Sequence, residues 1–571
     1  MSSVLTNKFR IHNAKSFKEG FDEGTQVGIP PADIGINTNI YMSIGKITPW
    51  SESDDIYSSQ PDSTINDFTP PSPRDHVQNQ YEVWRNMIAA KKILPTDVSH
   101  IIPRYDWESG YQYEQYSDLN DTLVYDTNQN STNKPFYVMT DEFNVYKCLF
   151  NNNNDIRGSL NKPIGTGVEP VEYNDGYIWK YMYTVSPAES FKFMTKNFIP
   201  IKTLEEEPQG VSVCSSSNLQ WEVQNNAVDG VIDVISRRYK DVDSSGDKYD
   251  SVSSVTSTSI SGNTIQFGSL AKNDDYYNGM TVYFEFEGES FEIVQYTPNT
   301  PSNGTDTIVL KGDVPTTITS PSVFKILPTV KVTGDGTGLK AVAIMGTGAE
   351  DSVNTDKIDK VKVLLGGSGY TRASVEFVGK RTEETTKNAL FDVIIPPAGG
   401  HGKDALGELG GFFIMLNTSF EYDEGVDLTI LNDYRQIGLI KQPLLLTNNP
   451  ATDDIYVQSQ TLSVTSNNIN GNIELDDIVT QNSTGASGIV VDVIDDNSNK
   501  LIRITNVKGT FETGEDSGLT FSPSNATVDS VIFVTPEPLL KNSGEVLFVE
   551  NRTKIQRGAN QIEDIKIVLE F

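Results

Sequence analysis

The sequence predicts a mainly β (α+β) protein of several domains, built from antiparallel sheets or sandwiches with a few helices and small added β-modules. Three observations carry this. Short runs of β-branched and aromatic residues recur between clusters of Asn, Gly, Pro and Ser, the pattern of strands separated by turns. One segment alone shows a sustained helical period. The 571 residues exceed a typical domain, and a 37% apolar share suffices for the cores of about three or four.

In order along the chain, "NIYMSIGKITPW" at 39–50 reads as a strand in an otherwise polar first 70 residues. "TPPSPRDHVQNQYEVWRNMIAAKKILP" then predicts the helix. Ser72 is its N-cap, Pro73 takes the first helical position, and Asp75 gives a box-like spacing. Val77, Tyr81, Trp84 and Ile88 form an apolar stripe, Lys91 and Lys92 suit the C-terminal end, and Pro95 stops it.

Strands follow at "KPFYVMT", "FNVYKCLF" and "YIWKYMYTV". In the last, Tyr177, Trp179, Tyr181 and Tyr183 alternate, so one face carries four rings and the other Ile178, Lys180, Met182 and Thr184. Such a row stacks on sugars or bases, or fills a core and an interface. The flank "VEYNDGY" supplies a turn and no basic groove, which favours packing.

Residues 212–330 are rich in Ser, Thr, Asn and Asp with short β-like runs. Residues 329–378 read as two turns of a Gly-punctuated β-repeat, with 230–242 as a degenerate copy. Residues 451–535 read as a small β-domain. The closing residues alternate Ile565, Ile567, Leu569 and Phe571 as a strand pinned in a sheet.

Lys+Arg 45 against Asp+Glu 77 gives a net charge of −32, which argues against nucleic acid as a partner. No run of 18 apolar residues predicts a membrane span, and the first residues hold no secretory apolar segment. Cys148 and Cys214 make no disulfide framework, and Cys148 in "VYKCLF" is expected to be a buried thiol.

No motif supports catalysis, a cofactor or a metal. "GDGTG" at 334–338 precedes β-like sequence where a dinucleotide site needs a helix. "PPAGGHGKDALGELGG" at 396–411 has Pro397 and Asp404 where a phosphate loop needs Gly and Ser or Thr. Its His401 and Asp404 are too few for a metal, so it reads as a tight structural turn. "DVDSSGDKYD" begins like a calcium loop at Asp241, Asp243, Ser245 and Gly246, but Val252 stands where the bidentate Glu belongs. His12, His76, His100 and His401 are scattered. "GGSGY" has Tyr370 in place of the second Gly of a nucleophile elbow.

Several stretches taken together resemble one family. They are "SIGKITPWS", "PPSPRD", "VWRNMIAAKKILPTDVSHIIPRYDW", "NVYKCL", "NDGYIWKYMYTV", "NDYRQIGLIKQPL" and "SGEVLFVENRTKI", followed by "EDIKIVLEF". The chain is similar, over about half its length in three collinear blocks, to the gene product eight family of baseplate wedge subunits from T-even-type contractile-tail phages. The resemblance implies a structural protein of the virion tail baseplate, assembled in the host cytoplasm. It implies a homodimer that meets neighbouring wedge subunits, with no catalytic role, no nucleic acid and no membrane.

It also implies an α+β domain from residues 1–100, 412–450 and 536–571, and a β-domain at 101–221. Against that pattern, 222–411 and 451–535 are inserted β-modules that offer surfaces to other tail or fibre proteins. The packing and interface candidates are Trp50, Trp84, Arg104, Trp107, Tyr177, Trp179, Tyr181, Tyr183, Arg552 and Arg557, with Arg104 either an interface anchor or an internal partner of Asp106. A rival reading is carbohydrate binding or host adhesion through the insertions. It requires exposed stacking aromatics there, and Tyr276, Tyr277, Tyr283 and Phe284 are the ones available. A third, a polysaccharide-degrading enzyme, requires paired carboxylates in a cleft.

Overall fold

The computed structural model describes residues 5–22, 39–51, 63–118, 134–153, 157–238, 248–299, 304–348, 356–382, 388–421, 433–556 and 561–571. Strand accounts for 44% and helix for 11%, which makes the chain mainly β. It divides into two compact units, Met1–His100 with Phe412–Phe571, and Ile101–Gly411.

In the first unit a five-stranded antiparallel sheet runs in the order Ile455–Val457, Met87–Lys92, Ile40–Gly45, Tyr434–Lys441, Glu545–Ile555. Phe413–Glu421 pairs with Ile562–Glu570, and the alternation read at the chain's end buries Ile565 and Ile567. The core between them gathers Met42, Ile44, Ile88, Leu416, Ile437 and Leu439.

The expected helix over 73–92 is only half correct. The helix is Val77–Asn86, capped by His76, whose Nδ1 accepts from Gln78 N at 3.2 Å. Met87–Lys92 is a strand. "MIAAKK" has helix-friendly residues, but it pairs on both edges, and tertiary pairing overrides local propensity. The stripe fails with it, since Trp84 and Ile88 are buried while Val77 and Tyr81 are more than half exposed. A second helix, Asn7–Asp22, was not expected; Ile11, Ala14 and Phe21 bury one side of it.

Residues 460–535 of this unit form an eight-stranded antiparallel sheet around Leu462, Val464, Val479, Ile502 and Phe521. It leans on the rest of its unit. Val491 joins the core of the five-stranded sheet, and Thr505 Oγ1 donates to Met87 O at 3.1 Å.

In the second unit a four-stranded sheet has the order Tyr137–Met139, Asn144–Asn151, Tyr177–Thr184, Val171–Glu172. Six strands between Val252 and Leu327 close a barrel filled by Phe267, Tyr277, Phe284, Tyr296 and Phe324. Residues 329–378 make one four-stranded antiparallel sheet, in the order Ile358–Ser368, Thr337–Met345, Thr329–Gly334, Ala373–Val378. The described part of 230–242 supplies only the short strand Ile235–Arg237, which pairs with Phe391–Val393 and adds no third hairpin.

Candidate functional site

The aromatic strand lies inside its sheet. Asn144–Asn151 flanks Tyr177–Thr184 on one edge and Val171–Glu172 on the other. Tyr177, Trp179, Tyr181 and Tyr183 are each at most 3% exposed, so none offers a ring to a ligand. Tyr177 and Trp179 stack at 5.9 Å and Tyr113 meets Trp179 edge-on at 5.4 Å, both favourable ring geometries. Tyr183 donates its hydroxyl to Pro200 O at 3.0 Å. The opposite face is also covered: Lys180 and Met182 are buried, and Ile178 packs with Phe150, Val234 and Ile394.

Beside this strand sits a buried ionic cluster. Lys147 comes from the neighbouring strand. Glu408 comes from the helix Ala405–Leu409, whose N-cap Asp404 accepts from Gly407 N. Lys147 Nζ donates to Glu408 Oε2 at 2.7 Å and lies 3.0 Å from His401 Nδ1. Gly402 N and Asp404 N donate to Glu408 Oε1 at 2.7 and 3.3 Å. Tyr116 completes the cage, with Lys147 4.0 Å above its ring and His401 edge-on at 4.9 Å.

A buried charge needs this degree of pairing. Burial alone would raise the Glu408 carboxyl, but the Lys147 charge and His401 hold it down to about 2. Burial and the Lys147 ammonium push His401 down to about 4. With Lys147 donating, Nδ1 accepts and the ring proton sits on Nε2. Burial lifts nearby Asp233 to about 6, against the pull of Lys180 and Lys147.

The cluster fastens the Gly-rich loop to the aromatic sheet. The loop is tight: Gly400 has φ +93°, and a Cβ there would stand 2.3 Å from Val228 O. His401 therefore serves packing, and Asp404 caps a helix. No group of three or more metal-ligating side chains exists among the described residues. A cavity nearby, lined by Tyr183, Glu189, Lys202 and Gln220, holds about 10 Å³, room for one water rather than a substrate. The calcium-like residues Asp241, Asp243, Ser245 and Gly246, and also Arg557, lie outside the described residues.

The remaining candidates spread over both units. Trp50 is buried and donates Nε1–H to Arg552 O at 2.9 Å, and Trp84 packs with Tyr41, Val83 and Met87. Trp107 donates to Ser159 Oγ at 3.2 Å. Arg104 pairs internally with Asp106 at 2.9 Å and also reaches Thr195 O; exposed Arg552 lies 3.3 Å from Glu550. Sequence reasoning missed Arg435. It is buried, grips Asp67 through Nε and Nη2 at 2.8 and 2.9 Å, and donates to Ile47 O. Its one sequence signal is a lone arginine beside an apolar strand.

Residues 3–161 match the model of the family described as Bacteriophage T4, Gp8. The baseplate wedge protein gp8 of Enterobacteria phage T4 is 23% identical over 244 residues, which is 38% of this chain and 67% of that protein. The chain belongs to the Gp8 family. The family match takes in the strands Ile40–Gly45, Met87–Lys92 and Asn144–Asn151, and with them Trp50, Trp84, Arg104, Trp107 and Lys147. Glu408 and His401, the partners of Lys147, lie beyond it.

Proposed function

We propose that this chain is a structural subunit of the wedge of a contractile phage-tail baseplate, acting as a homodimer through contacts with neighbouring wedge subunits and without catalysis. The similarity to the T4 baseplate wedge protein carries this reading. The site chemistry agrees with it, because the strongest candidates for reactivity, Lys147, His401 and Glu408, are consumed by one another in a solvent-free cluster. In this reading the modules at 222–411 and 451–535 add contact surface to the family scaffold.

The adhesion reading draws no support from the insertions' aromatics. Tyr277, Tyr283 and Phe284 are at most 1% exposed, and Tyr276 gives its hydroxyl to Asp250. A density map of the assembled particle tests the proposal. It should hold this chain in repeated copies within the baseplate, and a location at a fibre tip or in the head would overturn it.

A further inference from the structure

Residues 329–378 present an unusual face for so acidic a chain. Antiparallel pairing sets Val342 opposite both Thr329 and Lys362, and Thr329 opposite Val378. Alternation then places Lys331, Lys340, Lys360 and Lys362 on one side of three adjacent strands. None of the four forms an ion pair with a described residue, and the acid across the ladder from Lys331 is Glu376. Leu365, opposite Lys340, is 54% exposed, and Val378 is 43% exposed on the same face. At the other end, Val342, Ile344 and Leu364 pack on Tyr283 and Leu327 of the barrel, so the sheet is held and the lysine end is left to solvent.

Unpaired lysines around exposed aliphatics suit an acidic protein surface. They do not suit nucleic acid: the face has no arginine fork and no ring for base stacking, and the −32 of the chain repels a polyanion. A second copy brings the needed acid with it. Glu205–Glu207 is the longest acidic run in the sequence, is fully exposed, and has no ion pair among the described residues.

We propose that the lysine face of residues 329–378 is a docking surface for a second copy of this chain, which lays Glu205–Glu207 against it. A two-fold axis makes this contact twice, each copy giving one face and one run. Local complementarity of this kind lets copies at −32 associate despite their mutual repulsion. The inference rests on the homodimer reading and names its surface.

Charge exchange tests it by sedimentation equilibrium of the full chain. One variant carries Lys331→Glu, Lys340→Glu and Lys362→Glu; the other carries Glu205→Lys, Glu206→Lys and Glu207→Lys. All six sites are exposed, and melting curves confirm folding; Lys→Gln replacements at the three lysines serve as a milder set. Each variant alone should be monomeric where wild type is dimeric. The two mixed should dimerise again, because both contacts become complementary in the mixed pair. Wild-type affinity should fall about tenfold or more between low and high salt. If either variant dimerises alone like wild type, or the mixture stays monomeric, the surface is wrong and the dimer reading stands. If wild type is itself monomeric, both fall.

Discussion

Lys147 Nζ and Glu408 Oε2 meet at 2.7 Å with their side chains 0% and 3% exposed. Removing one partner strands the other charge in the interior. Glu408→Gln or Lys147→Met should each cost about 3–5 kcal/mol, the range for breaking a buried ion pair. Lys147→Met combined with Glu408→Leu should recover much of that loss. Urea unfolding of the three variants checks it, and additive losses would contradict the pairing.

His401 gives this cluster a pH signature. Its folded pKa of about 4 lies below the ordinary histidine value, so the unfolded chain binds the extra proton between about 6.5 and 4. Stability should therefore fall as pH drops through that window, by about 1.4 kcal/mol per unit for one proton. Asp233, raised to about 6, acts oppositely between about 6 and 4, because its folded form holds the proton longer. His401→Gln should flatten the acid side of the profile, and Asp233→Asn should steepen it. Denaturant midpoints at several pH values read both.

Trp179 carries the aromatic core. Trp179→Ala should cost about 3–5 kcal/mol as a large-to-small change in a filled site. Its Nε1 has no acceptor among the described residues, so Trp179→Phe gives up no hydrogen bond and should cost clearly less. A melt of Trp179→Ala equal to wild type, with loss of sugar binding, would refute the packing role.

These cases show what a sequence can carry. The period of two in "YIWKYMYTV" marked a strand because local alternation records a pleat, and both its faces proved buried. "MIAAKK" misled because its composition is neutral and pairing with Ile40–Gly45 and Ile455–Val457 decides it. Helix Asn7–Asp22 was hidden by polar residues between Ile11, Ala14 and Phe21. The ionic cluster was out of reach: Lys147 and Glu408 stand 261 residues apart, and no local period links them.

Arg435 offers a test in the other unit. Lysine cannot reproduce its two-pronged grip on Asp67 together with the bond to Ile47 O. Arg435→Lys should cost about 1–3 kcal/mol, the range for hydrogen bonds to charged groups. Thermal melts at neutral pH check this, and an unchanged melt would show the grip to be dispensable.

The module at 460–535 should be removable if its cut spares the sheet. Ile455–Val457 pairs with Ala89–Lys91, and Gln458 exchanges two hydrogen bonds with Leu539. Joining 459 to 536 by a Gly-Ser linker should leave a soluble chain. Joining 450 to 536 also deletes that edge strand and should melt lower. Equal melting of the two would show that Ile455–Val457 adds nothing.

Assembly itself tests the central claim most directly. The purified chain is mixed with its neighbouring wedge subunits, with and without a chelator, and complex size is followed by light scattering. The account predicts a defined complex of the same size in both conditions and no breakdown of host polysaccharide by the chain alone. A complex that needs divalent metal, or a chain that degrades polysaccharide, would contradict it.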